Sequence, residues 1–374
     1  MSTFDDILAR WPWLQELEAC PQDPEWHQEG NVLTHTRMVS DSVVNREQTI
    51  LMDAAVLHDV GKPATTKTES DGRITSKGHG RVGSIITREK LYQEGYVFQD
   101  RELIAGLVRW HQVPFHAMGD PNGVFRARLA AETCSHQLLA SLAEADATGR
   151  VCGSIVETME NIGLYRLFGE EAGVGSGPFE FPSDATRLKY YQSRGTFPTD
   201  VWLPDPKGSR VTMMVGLPGA GKSRWLRDNA PGLPVVSMDA LREEMDVAPT
   251  DKQGSAVQAA KESARQYLRA KKDFAWDATN LTQVTREHLI ALFMSYDARV
   301  RVVYVEVPLE TLRVQNSDRE HVVPWGVIQK MMARVVGEQL AAHYVVTEDI
   351  LCFATFGAQG KGLIFVVSRV KWKA

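Results

Sequence analysis

The sequence predicts two domains of different class, an all-α domain followed by an α/β domain built on a parallel sheet. Three observations carry this. A glycine-rich phosphate loop, Gly216-Leu217-Pro218-Gly219-Ala220-Gly221-Lys222-Ser223, lies between an apolar run and a helical run. Seven of the ten histidines fall before residue 150, in sequence that shows helical but no strand periodicity. Between these regions, residues 169–208 are rich in Gly, Pro and Ser and read as a linker, giving domains at 1–168 and 209–374. A length of 374 residues fits two domains better than one.

In the first region, Thr34 to Val44 reads as a helix capped by Asn31. A second, Ile50 to Asp59, stops at Gly61 with Pro63 behind it. Ile104, Leu107, Val108 and His111 recur at helical spacing, which places His111 on a buried face. Leu138, Leu139, Leu142 and Asp146 mark a further helix ending at Gly149. The second region alternates instead. Strands are expected at Val211–Val215, Val235–Ser237, Phe274–Asp277 and Arg301–Val307, with helices at Lys222–Asn229 and Ser255–Lys272. Such alternation implies βαβ units and a parallel sheet.

Composition narrows the class. Hydrophobic content of 43% with 24% charge is that of a soluble globular protein. A net charge of −5 argues against a basic coat, while leaving room for a local phosphate-binding patch. Cys20, Cys134, Cys152 and Cys352 form no C-x-x-C pair, which favours reduced thiols over a disulfide framework or zinc ribbon. With no basic-then-apolar leader and no membrane-length apolar run, a cytoplasmic protein without a membrane partner is expected.

The phosphate loop assigns its own chemistry. Gly216, Gly219, Ala220 and Gly221 let the backbone N–H groups close around phosphates, Lys222 reaches the β/γ-phosphates and Ser223 ligates Mg²⁺. ATP or another NTP is thus the expected donor. Asp239 ends the second strand and Arg242 follows one helical turn later. An aspartate there can take the proton of an attacking hydroxyl, and the arginine can hold an acceptor phosphate. Each can equally be an ordinary cap or surface residue. Asp277 ends the third strand, where a carboxylate can orient Mg²⁺. Arg319, with Arg313 the weaker candidate, lies in a polar segment suited to a lid over the γ-phosphate.

Asp239-x-x-Arg242, the run Asp277-Ala278-Thr279-Asn280-Leu281-Thr282 and Asn316-x-x-Arg319 before Val323-Pro324 together resemble 5′-hydroxyl polynucleotide kinases over about residues 210–340. The resemblance implies Asp239 as general base, Arg242 on an acceptor 3′-phosphate and Arg319 as lid arginine.

The first region suggests a metal site. The adjacent pair His58-Asp59, with His35 upstream and Asp146 downstream, makes a mixed N/O donor set suited to Mn²⁺, Ni²⁺, Co²⁺, Fe²⁺ or Zn²⁺. Such an ion acidifies water and polarises a phosphoryl oxygen. The arrangement resembles the HD phosphohydrolase superfamily over about residues 30–150. That resemblance implies His79, His111 and His116 as ligands to a second ion. His27 and His136 read as structural. Lys62 reads either as a phosphate contact or as a solvated lysine.

Taken together, the two regions resemble the bifunctional bacterial end-healing enzymes known as HD-Pnk. The resemblance implies phosphorylation of 5′-OH ends of RNA or DNA, and removal of 2′,3′-cyclic phosphate or 2′-phosphate from the other end. Joining would fall to a separate ligase. Two other readings stay open. A small-molecule kinase fused to a nucleotide phosphohydrolase would turn over free nucleosides or sugars. A P-loop acting as a switch would need neither an acceptor base nor a lid arginine.

Overall fold

A computed structural model describes residues 4–43, 49–153, 155–247 and 253–332, with the backbone of two further strands at 350–354 and 363–367. The chain divides into two compact units between Glu180 and Phe181.

The first unit is helical. Its core runs from Phe4 and Trp11 through Val32, Val39 and Ala54–Leu57 to Leu103–Val108, Leu139–Ala143 and Tyr165. Asn31 caps the helix Val32–Asp41 by accepting the Thr34 N–H. The helix Thr49–Leu57 is buried almost throughout, so it reads as an apolar run rather than an amphipathic one. Gly61 ends that segment for a steric reason: a Cβ there would lie 2.1 Å from the His79 carbonyl oxygen. The close approach sets the helix His79–Gln93 against the His58-Asp59 turn. One feature departs from the all-helical expectation. The two-residue strands β1 (Lys67–Thr68) and β2 (Ile74–Thr75) pair antiparallel around Gly72, whose φ of +87° suits a tight turn.

The stretch read as linker is more ordered than its composition suggests. The helix Ile155–Glu171 runs into it, and Asp184–Gln192 forms a helix capped by Ser183. Phe181 packs on Tyr190 and Tyr191, with ring centroids 5.2 and 5.7 Å away. The aromatic cluster stabilises a short helix that Gly and Pro on either side conceal.

The second unit is an α/β domain. Its strands are β3 (Arg210–Val215), β4 (Val235–Ser237), β5 (Phe274–Asp277), β6 (Arg299–Val305), β7 (Ile350–Ala354) and β8 (Leu363–Val367), in the order β4-β5-β3-β6-β7-β8. All neighbours are parallel except β7 and β8. The carboxyl ends of β3, β4 and β5 therefore open on one edge, where ligands bind in such sheets. Among the described residues, no helix is long and apolar enough to cross a membrane.

One buried acid gives the helical unit a pH dependence. Burial raises the Asp53 carboxyl to about 6, against the Tyr96 hydroxyl that donates to it at 2.8 Å. A carboxyl raised above its unfolded value of ~3.9 stabilises the fold while protonated, and that contribution is lost as pH rises through 6. Asp53→Asn, which stays neutral, is expected to gain about 2 kcal/mol relative to wild type between pH 4 and 7.5. Denaturant unfolding at the two pH values measures this. Parallel pH profiles would exclude it.

Candidate metal centre and phosphate site

Helical segments of the first unit bring six of the seven expected ligands together. His35, His58, Asp59, His111 and Asp146 are fully buried and His79 nearly so. Each imidazole rests its Nδ1 on a main-chain carbonyl: His35 on Gly149 (3.2 Å), His58 on Ala55, His79 on Ser76 and His111 on Val108 (each 2.7 Å). Carbonyls only accept, so each Nδ1 carries a proton, which leaves Nε2 as the atom that can offer a lone pair to a metal.

Those Nε2 atoms converge on two carboxylates. His35 lies 3.1 Å from Asp146 Oδ1, and His58 lies 3.1 Å from Asp59 Oδ2. His79 and His111 lie 3.3 and 3.8 Å from Asp59 Oδ1. Asp59 thus turns one oxygen to each half of the cluster. The His79 and His111 Nε2 atoms face each other at 3.0 Å, an arrangement of two lone pairs that calls for a cation between them. His58 Nε2 and Asp59 Oδ1 are buried with no hydrogen-bond partner. Two metal-sized groups result, His35-His58-Asp146 and Asp59-His79-His111. Their donor set fits one or two divalent transition-metal ions.

The electrostatics agree except at His35, where burial lowers the ring but hydrogen bonds with Asp146 and Glu29 outweigh it and raise the pKa. Burial pushes the Asp59 carboxyl up, but His58, Lys62 and His79 outweigh it and hold the group well below the usual range. Asp146 is likewise held low against burial, chiefly by Arg150 and His35. Burial, with His79 and His58 nearby, lowers His111 to about 3, and burial also lowers His79, so these rings stay neutral as ligands.

His116 does not join them. It is exposed, because the chain turns after His111 into the short helix Val113–His116. His136 stands apart, its Nε2 against the Tyr165 carbonyl at 2.9 Å. Lys62 is buried rather than solvated, donating to Asp59 Oδ2 at 2.7 Å and Gln22 Oε1 at 2.6 Å. Two residues outside the expected set complete the surroundings. Arg150 grips Asp146 with two bonds of 2.9 and 2.7 Å, and its Asp146-x-x-x-Arg150 spacing was a usable signal. Glu29 sits behind His35 with His27, previously read as structural, and no sequence signal marks it. Burial works against the Glu29 carboxylate, but hydrogen bonds from His35, the Val151 N–H and His27 hold it at about 2.

In the second unit the phosphate loop leaves β3 as expected. Gly216 has a φ of +148°, and a Cβ there would lie 2.4 Å from the Val305 carbonyl oxygen. Gly219 and Gly221 also take positive φ. Lys222 Nζ donates to the Gly216 and Leu217 carbonyls at 3.0 Å each, and burial lowers it to about 8. Ser223 donates to Asp277 Oδ2 at 2.9 Å, so the hydroxyl and carboxylate expected at Mg²⁺ are adjacent.

The flanking motifs brace this loop. Thr279 accepts the Gly216 N–H, and Asn280, at a φ of +48°, donates to the Met214 carbonyl at 2.7 Å. Asn316 packs on Gly219 and pins Val323 with two bonds, closing the segment that carries Arg319. Arg319 lies close enough to depress the Lys222 pKa, and its Nη1 is buried without a hydrogen-bond partner. Arg313 is half-exposed over the Trp325 ring at 4.8 Å. Asp239 and Arg242 form an ion pair beyond β4, where Ser237 is in register with Asp277.

Comparison with known proteins follows this division. Residues 31–150 match the HD domain family, and residues 211–338 match an AAA domain family. A CC-adding tRNA nucleotidyltransferase from Thermus thermophilus is 42% identical over 59 residues, 16% of this chain and 14% of that protein. The chain therefore spans only a small part of that relative. A sugar kinase from Janibacter sp. HTCC2649 aligns with 35% of this chain and 79% of its own, at 19% identity and a TM-score of 0.27. The chain carries an HD domain followed by a P-loop kinase-like domain.

Proposed function

We propose that the chain heals nucleic-acid ends, phosphorylating 5′-OH termini from ATP and removing 2′,3′-cyclic phosphate or 2′-phosphate at the opposite terminus. The observation that carries this reading is the Asp239–Arg242 pair on the carboxyl edge that also bears Lys222, Ser223 and Asp277. A base paired with a phosphate-holding arginine suits an acceptor that brings its own phosphate, as a polynucleotide does and a free nucleoside or sugar does not. Similarity to an enzyme that by its name acts on tRNA supports the same class.

In the kinase step, the 5′-oxygen attacks the γ-phosphorus, the bond to ADP breaks and the proton passes to Asp239. Lys222 holds the β/γ-phosphates, Ser223 and Asp277 would hold Mg²⁺, and Arg319 offsets charge on the transferring group. In the HD domain, His35, His58, Asp59, His79, His111 and Asp146 would hold the divalent ion or ions. Bound there, the metal supplies Lewis-acid polarisation of the phosphoester and acidification of water. Lys62 and Arg150 keep the two carboxylates ionised and add positive charge beside the phosphate.

Comparing labelled-phosphate transfer to a 5′-OH oligonucleotide and to free nucleosides tests the acceptor class, and equal turnover would contradict it. Arg242→Ala is expected to raise KM for acceptors bearing a 3′-phosphate by about 10–100-fold, the equivalent of a charged hydrogen bond of ~1.5–3 kcal/mol. Loss of ATP affinity with acceptor KM unchanged would instead assign Arg242 to the donor site.

A further inference from the structure

We infer that Glu29 is a positioning residue of the metal centre, holding His35 from behind and strengthening it as a ligand. This rests on the metal reading of the cluster and not on the nucleic-acid reading.

The Glu29 side chain is only 2% exposed. Its Oε1 lies 3.0 Å from His35 Nδ1 and 2.8 Å from His27 Nδ1, and its Oε2 accepts the Val151 N–H at 2.9 Å. Both oxygens are therefore committed. His58, His79 and His111 each rest Nδ1 on a main-chain carbonyl. His35 alone among the four shares its Nδ1–H between a carbonyl and a carboxylate. A carboxylate is the stronger acceptor, so it draws the proton and returns electron density to Nε2, the atom facing Asp146. It also fixes the tautomer and the ring plane. His27 completes the support: its Nδ1 engages the same carboxylate oxygen, and its ring meets that of His35 edge-on at 4.7 Å.

His27, Glu29 and His35 are close enough to hold an ion of their own. Their hydrogen bonds favour support instead, since an ion there would require His35 to lose its Nδ1 proton while Nε2 also serves as a ligand.

The test uses full-length protein stripped of metal and titrated with Mn²⁺. Glu29→Ala is expected to weaken Mn²⁺ binding about 10–100-fold, with the same number of ions at saturation. Glu29→Gln, whose amide oxygen still accepts the His35 N–H, should lose less. Phosphoesterase kcat should fall with KM unchanged, and kinase activity should match wild type. The helical content and unfolding transition of the same preparations should also match wild type, which shows the metal-bearing unit folded. Wild-type Mn²⁺ affinity in both variants would overturn the proposal. So would a saturation count one ion lower, which would make Glu29 a ligand. Failure of the wild-type protein to bind Mn²⁺ would overturn the proposal together with the metal reading beneath it.

Discussion

Asp59→Ala is expected to abolish phosphoesterase activity while kinase activity stays within a few-fold of wild type. Asp59 belongs to the His79-His111 group and turns its other oxygen toward His58 of the second, so its loss disturbs both at once. Metal polarisation of a phosphoester accounts for several kcal/mol of the barrier, so a fall of about 10³-fold or more is expected. The substitution also leaves buried Lys62 without its carboxylate, a fault of the kind that destabilises a fold. Asp59→Asn, which keeps the volume and removes the charge, separates chemistry from packing. Every phosphate-loop element lies in the other compact unit. Measuring both activities and bound metal on each preparation decides the matter. Loss of kinase activity in a folded, ATP-binding Asp59→Asn protein would show that the two sites are coupled.

Asp239→Ala is expected to lower phosphate transfer to 5′-OH ends by about 10²–10⁴-fold, the usual effect of losing a positioned general base. ATP binding should survive, because the donor contacts proposed for Lys222, Ser223 and the loop backbone do not involve Asp239. The Asp239 side chain is 71% exposed and pairs with Arg242, itself in reach of Gln253, so the fold should not suffer. ATP affinity and single-turnover transfer measured together separate the two effects. A folded variant with wild-type transfer rates would remove Asp239 from the mechanism.

Much of both sites was legible because their chemistry is written locally. The phosphate loop is contiguous and needs only a strand before it and a helix after it. His58-Asp59 announces itself by adjacency, helical spacing put His111 on a buried face, and Asp146 was marked by its place near the end of a helix. What escaped depends on contacts that close in three dimensions. Glu29 precedes the His35 helix, so no helical period links the two. Asn280 and Asn316 were visible as motif members, yet their work as braces of the phosphate loop appears only once β3 and the 317–323 segment are placed. His116, expected from the family resemblance alone, is carried outward by the turn that follows His111, which no local pattern announces. The helix Asp184–Gln192 was hidden by its glycine- and proline-rich flanks, though Ser183 carried a cap signal.

The most direct test of the account is a single reaction containing γ-labelled ATP, Mg²⁺, Mn²⁺ and an oligonucleotide with a 5′-OH and a 2′,3′-cyclic phosphate, both ends being followed. The 5′ end is expected to gain the label and the other end to lose its phosphate. An oligonucleotide unchanged at both ends, while the label passes to free nucleosides or sugars, would contradict it.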